Sequence, residues 1–131
     1  MLSQSYSNLQ IIIVDDGSKE ECAVLCDELA KKDARIKVIH KKNEGQGIAR
    51  NCGIEASCGE YIGFVDSDDW IKPYMYEKMY NAAKSNDSDI VFCNCQENDD
   101  GHIFTPEMNN GPYDREAIKK EIVICDIMCI R

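Results

Sequence analysis

Two short apolar runs each end in a cluster of acids. Ile11-Ile12-Ile13-Val14 leads into Asp15-Asp16-Gly17-Ser18, and Tyr61-Ile62-Gly63-Phe64-Val65 leads into Asp66-Ser67-Asp68-Asp69-Trp70. A short, continuously apolar run between turn signals reads as a strand covered on both faces. If such a strand belongs to a parallel sheet, its terminal acids lie at the carboxyl edge, where open α/β sheets bind ligands. Two such edges can aim several carboxylates at one point. The target that suits them is a divalent cation carrying a phosphorylated ligand.

The remaining pattern fits that sheet. Residues 10–14 read as a strand, and residues 19–32 as a helix with Cys22, Leu25, Cys26 and Leu29 on one face. Ser18 is the expected N-cap, with Glu21 completing a capping box. Residues 36–39 form a second strand, and Asn43 to Gly47 a glycine-bearing loop. A helix over 47–57 is expected to bury Ile48, Cys52 and Ala56, followed by a third strand over 60–65. Pro73 suits the first turn of the next helix, which runs to about Asn86 and buries Met75, Met79, Ala82 and Ala83. A fourth strand over 89–93, a polar loop or hairpin over 96–112 and an amphipathic helix over 115–129 complete the reading. Strands alternating with helices predict an α/β fold, a mainly parallel sheet flanked by helices. The abrupt ends, Met1 to Leu9 and Cys129-Ile130-Arg131, read as a single partial domain.

Composition narrows the function. The 131 residues hold 24 acids against 15 Lys and Arg, a formal charge of −9, which repels a phosphate backbone and disfavours nucleic-acid binding. There is no apolar run of membrane-spanning length and no basic-then-apolar leader. Eight cysteines without C-x-x-C spacing read as small buried apolar residues of a reduced cytosolic protein.

Each motif also has a plainer reading. Asp15-Asp16-Gly17-Ser18 can bind a base, ribose hydroxyls or a metal, or be a simple turn before a helix. Alternation points Asp66 and Asp68 to one side, suited to Mn²⁺ or Mg²⁺, whereas a solvated helix-capping loop is the alternative. An EF-hand fails, because Ile71 would stand where the loop needs glycine. In Asn43-Glu44-Gly45-Gln46-Gly47-Ile48-Ala49-Arg50-Asn51-Cys52-Gly53, the glycines bend the backbone into a helix start. Arg50 can reach a nucleotide, or pair with an acid of the first cluster. The segment is neither G-x-G-x-x-G nor a Walker loop.

Taken together, the strand ending in Asp15-Asp16-Gly17-Ser18, the Asn43…Gly45…Ala49-Arg50-Asn51-x-Gly53 segment and the strand ending in Asp66-Ser67-Asp68-Asp69-Trp70 resemble family 2 glycosyltransferases of the GT-A fold. The resemblance covers roughly residues 5 to 95. It implies a site for a nucleotide-diphosphate sugar, a UDP-sugar first among them, and a glycan or lipid-linked acceptor. Asp15, Asp16 and Arg50 would face the base, Asp66 the ribose, and Asp68 with Asp66 the Mn²⁺ or Mg²⁺ bridging the diphosphate. Asp69 and Trp70 would shape the loop and start the next helix. Transfer would be inverting, with an acceptor hydroxyl attacking the anomeric carbon and a nucleoside diphosphate leaving. No residue here matches the family's base, so no catalytic residue is assigned. The resemblance implies that a first strand and the acceptor half lie outside this chain. Exposed strand edges would then pair with a second copy. It also implies a cytoplasmic location, with membrane association on the cytoplasmic face as the alternative for the parent protein.

Two other readings compete. A response-regulator receiver domain has a similar sheet and an acidic pair, with Asp66 as phosphoacceptor; it leaves Gly45 to Gly53 and Asp68-Asp69 unexplained. A non-catalytic nucleotide-binding or interaction domain is the third.

Overall fold

The computed structural model describes residues 1–93, together with the backbone of 97–99 and 102–104. Strand β1 spans Ile11–Asp16 and strand β2 spans Ile36–Lys41, joined by helix α1 over Glu20–Lys32. Helix α2 covers Gln46–Ala56 and helix α3 covers Met75–Asn86. Strands β3 (Glu97–Asp99) and β4 (His102–Phe104) pair antiparallel, so the polar stretch expected as a loop or hairpin contains a hairpin. The expected helix over 115–129 lies outside the described residues.

β1 and β2 are parallel, with Ile11 opposite Ile36, Asp15 opposite His40 and Asp16 opposite Lys41. Parallel strands joined by a helix are the βαβ unit, and the α/β class is as expected. Strand alternation then assigns the faces. His40, beside Asp15, reaches Asp27 of α1. Val14 lies on the opposite face with Asp16, and a Cβ built at Gly53 of α2 would meet Val14 Cγ2 at 3.5 Å. Helices α1 and α2 therefore cover opposite faces of the pair.

Several expectations are corrected. β1 continues through both acids, so Asp15 and Asp16 belong to the strand itself. Ser18 does not cap α1; Lys19 holds the cap position without a side-chain bond, because the Ser18 hydroxyl is taken by Asp15. Cys22 and Leu25 of α1 and Ile48 of α2 are exposed among the described residues, where a two-stranded sheet leaves part of each helix's apolar face uncovered. Residues 60–65 form no ladder, and within 89–93 only Ile90 makes an isolated bridge. A strand exists only where a neighbour completes its hydrogen bonds, and neither segment aligns with β1 or β2.

The start of α3 is built from far away. The helix opens at Met75 after Tyr74, two residues later than Pro73 suggests, and Tyr74 supplies no side-chain cap. The orphan N–H of Tyr76 instead donates to Gln4 Oε1 at 3.1 Å, while Gln4 Nε2 donates to the Lys72 carbonyl at 2.7 Å. Ser5 N–H donates to the Pro73 carbonyl at 2.7 Å, and Ser5 Oγ to Glu77 Oε2 at 2.6 Å. Gln4 is correspondingly buried. Tyr80 stacks on Tyr6 at 4.9 Å and meets Tyr61 edge-on at 5.8 Å. Beneath them Met79 and Ala83 are buried as expected, with Tyr61, Met75, Tyr76 and Val91 packed around Met79.

Candidate nucleotide-sugar site

The head of the parallel pair is a set of carboxylates held by short-range donors. Asp15 is 8% exposed. Its Oδ1 accepts the Ser18 N–H at 2.9 Å and the Ser18 hydroxyl, and its Oδ2 lies 2.8 Å from His40 Nδ1. The Ser18 hydroxyl first, then His40, holds the Asp15 carboxyl down at about 2. This pairing follows from register, since Asp15 and His40 are cross-strand neighbours.

Asp16 faces the other way and ties down the next loop. Its Oδ1 accepts Lys41 Nζ at 2.5 Å and the Glu44 N–H at 3.0 Å, and its Oδ2 accepts the Gly45 N–H at 2.8 Å. Lys41 also pairs with Glu44 at 2.9 Å. The Asp16 carboxyl is held below the ordinary range, chiefly by Lys41. The turn between the acids and α1 needs glycine, because Gly17 has φ of +74° and a Cβ there would stand 2.7 Å from the Asn43 backbone nitrogen.

The loop that Asp16 holds becomes the start of α2, with Gly45 at the N-cap and φ of 94°. One turn on, Arg50 Nη2 donates to Asp66 at 3.0 and 3.3 Å, and Gln46 Nε2 reaches Asp66 Oδ1 at 3.4 Å. Arg50 therefore pairs with the second acidic cluster, not the first, because α2 points its first turn toward residue 66. The segment from Asn43 to Arg50 thus bridges both clusters: its loop is bonded to Asp16 and its helix to Asp66. The Asp69 N–H closes a turn onto the Asp66 carbonyl at 3.1 Å. Asp68 is exposed and makes no hydrogen bond with described residues. Trp70 is 98% exposed and lies outside α3, so it does not start that helix.

Asp66 and Asp68 are the candidates for holding a divalent cation. No group of three His, Cys, Asp or Glu side chains that could hold a metal occurs among the described residues. Mg²⁺ needs fewer, since one or two carboxylates plus substrate phosphates commonly suffice. Asp68 offers an unengaged carboxylate and Asp66 one shared with Arg50. These are separate carboxylates and no all-protein cage, and the turn from Asp66 to Asp69 replaces the extended stretch whose alternation was expected to set Asp66 and Asp68 on one side. Sequence reasoning missed His40, Lys41 and Gln46; the parallel register of β1 and β2 carries the signal for the first two.

The sequence profile of glycosyl transferase family 2 matches residues 1–128. The chain belongs to this family. Among its relatives are EpsH of Bacillus subtilis strain 168, provisionally named a glycosyltransferase and 49% identical over 92 residues (70% of this chain, 26% of EpsH). The uncharacterized glycosyltransferase EpsJ of the same strain is 44% identical over 93 residues (71% of this chain, 27% of EpsJ). Glycosyltransferase GlyG of Streptococcus pneumoniae serotype 4 is 40% identical over 107 residues (79% of this chain, 36% of GlyG). The chain thus spans about a quarter to a third of the length of these relatives. Its α/β architecture, a parallel pair with flanking helices, is consistent with the family's GT-A fold. No described helix is long and apolar enough to cross a membrane.

Proposed function

We propose that this family 2 glycosyltransferase chain carries the donor half of the site and binds a nucleotide-diphosphate sugar, with UDP as the nucleotide to test first. Asp15, Asp16 and Arg50 face the base side, Asp66 the ribose, and Asp68 with Asp66 holds Mn²⁺ or Mg²⁺ against the diphosphate. The observation that carries this reading is the Asn43 to Arg50 segment, bonded to Asp16 at one end and Asp66 at the other. It brings both acidic clusters together at the carboxyl end of a parallel pair, where α/β sheets take their ligands. The bound cation supplies charge neutralisation for the diphosphate.

The chain's own residues do the rest by position. Asp15 and Asp16 each use three of about four carboxylate acceptor positions internally, leaving roughly one each for a ligand donor. Arg50 is the cation already seated at Asp66, placed to meet the base or the diphosphate without leaving the site. In the parent protein a hydroxyl of a glycan or lipid-linked acceptor displaces the nucleoside diphosphate at the anomeric carbon with inversion. Its proton goes to a carboxylate base that this chain does not identify.

Calorimetric titration of UDP, with and without Mn²⁺, tests the reading. Binding should require the metal, and Asp68→Ala should weaken it at least about tenfold, the scale of one lost charge-assisted contact. Metal-independent binding, or an Asp68→Ala variant that binds as the native chain does, would overturn the assignment.

A further inference from the structure

His40 stands at the head of the parallel pair and has no part in the donor-site reading. Each of its ring nitrogens faces a carboxylate: Nδ1 lies 2.8 Å from Asp15 Oδ2, and Nε2 3.2 Å from Asp27 Oδ1. A neutral imidazole carries one N–H and would aim a lone pair at one of those oxygens. Only the imidazolium donates to both. The groups around it agree. Asp15 faces it from β1 and Asp27 from α1. The Cys26 thiol, on α1 beside both acids, is pushed up by burial first and then by Asp15, so it stays a neutral thiol. Lys41, next on β2, is committed to Asp16 on the opposite face. The hydrogen bond to Asp15, then that to Asp27, raises the His40 pKa above its ordinary value.

We propose that His40, as imidazolium, is the positioning residue for Asp15, and that nucleotide affinity follows its protonation. The affinity part rests on the donor-site reading above. Asp15 has Oδ1 fixed by two donors from Ser18 and Oδ2 fixed by His40. Loss of the proton leaves one N–H for two carboxylates, and the tie joining β1, β2 and α1 opens at one end. Whichever nitrogen keeps the N–H, the bond to Asp15 loses its charge-assisted part, and the carboxylate is held less firmly in the position that nucleotide binding needs.

The test has two arms. In the first, NMR follows the His40 ring and the Ser18 amide across pH, with His102→Gln removing the chain's other histidine. His40 should titrate above the ordinary histidine range, Asp27→Asn should bring its midpoint down, and the Ser18 amide should move with the same midpoint. An ordinary His40 titration, or a Ser18 amide that ignores it, overturns the positioning role. In the second arm, UDP is titrated with Mg²⁺ into the native chain and into His40→Gln. Taking their ratio cancels the titration of the nucleotide's own phosphate. The native chain should bind about tenfold more tightly below the His40 midpoint, the value of a hydrogen bond to a charged group, and about equally above it. A ratio that does not change with pH overturns the coupling. Absence of UDP binding to the native chain at every pH overturns the donor-site reading, and the Ser18 arm still decides the positioning role. If His40→Gln fails to fold, Asp27→Asn takes its place in the second arm, since it leaves the β1–β2 pair untouched; the native chain should then bind more tightly only between the lowered and the native midpoint, and equal binding there overturns the coupling.

Discussion

Asp15 and Asp33 are ionised well below the ordinary carboxylate value of 3.8, at about 2, the first through Ser18 and His40 and the second through Arg35. Depressed carboxylates contribute stability above their unfolded value and lose it as they protonate. His40 behaves oppositely. Its pKa is raised from 6.5, so its contribution is complete below that value and is lost as pH rises through the raised one. The thermal midpoint should therefore fall as pH drops below about 4, and step down again on the alkaline side. In scanning calorimetry, His40→Gln should erase the alkaline step and keep the acid limb. Two glycines separate strain from contact. Gly17→Ala should cost about 2 kcal/mol or more in urea unfolding, combining left-handed backbone with the clash on Asn43. Gly45→Ala meets no atom, so its cost of about 1–3 kcal/mol is backbone strain alone, φ of 94° with ψ of 158° being a region nearly reserved for glycine. A Gly17→Ala loss smaller than that of Gly45→Ala would show that the Asn43 contact relaxes freely. The acids were legible as motif residues because they interrupt apolar runs. Their partners were not, since Lys41 and His40 are 25 residues from them in sequence and meet them only through the parallel register.

Helices were easier to read than strands. The 3.6-residue period and local stop signals placed α1, α2 and α3 within two residues of their ends, because a helix satisfies its own backbone. Strands depend on neighbours that a local pattern does not name. Tyr61 to Val65 is as apolar as β1, yet it makes no ladder among the described residues. The cap of α3 was equally hidden, since Gln4 and Tyr76 are 72 residues apart. Gln4→Ala removes two partners at once, the Tyr76 N–H acceptor and the Lys72 carbonyl donor. It should destabilise the chain by about 1–3 kcal/mol and speed hydrogen exchange at Tyr76. A loss in stability without faster exchange at Tyr76 would mean that Gln4 acts by packing alone.

At the scale of the molecule the described core is thin. Ile11, Met79 and Ala83 are its buried apolar residues, and the sheets among the described residues are two separate pairs, β1–β2 and β3–β4. Each strand of a two-stranded sheet has one edge of unpaired N–H and C=O groups, which invites pairing with another chain. Sedimentation of this chain should accordingly show association that grows with concentration; one monomeric species throughout would exclude pairing through those edges. The Gln4 contact also sets a timetable. During synthesis Gln4 and Ser5 are made 72 residues before Tyr76 and Glu77, their partners on α3. At the usual pace of translation that is about 4 to 14 seconds, far longer than a helix or a hairpin needs to form. The βαβ unit can therefore assemble on the emerging chain, while the segment before it stays in water until the helix it caps has been made.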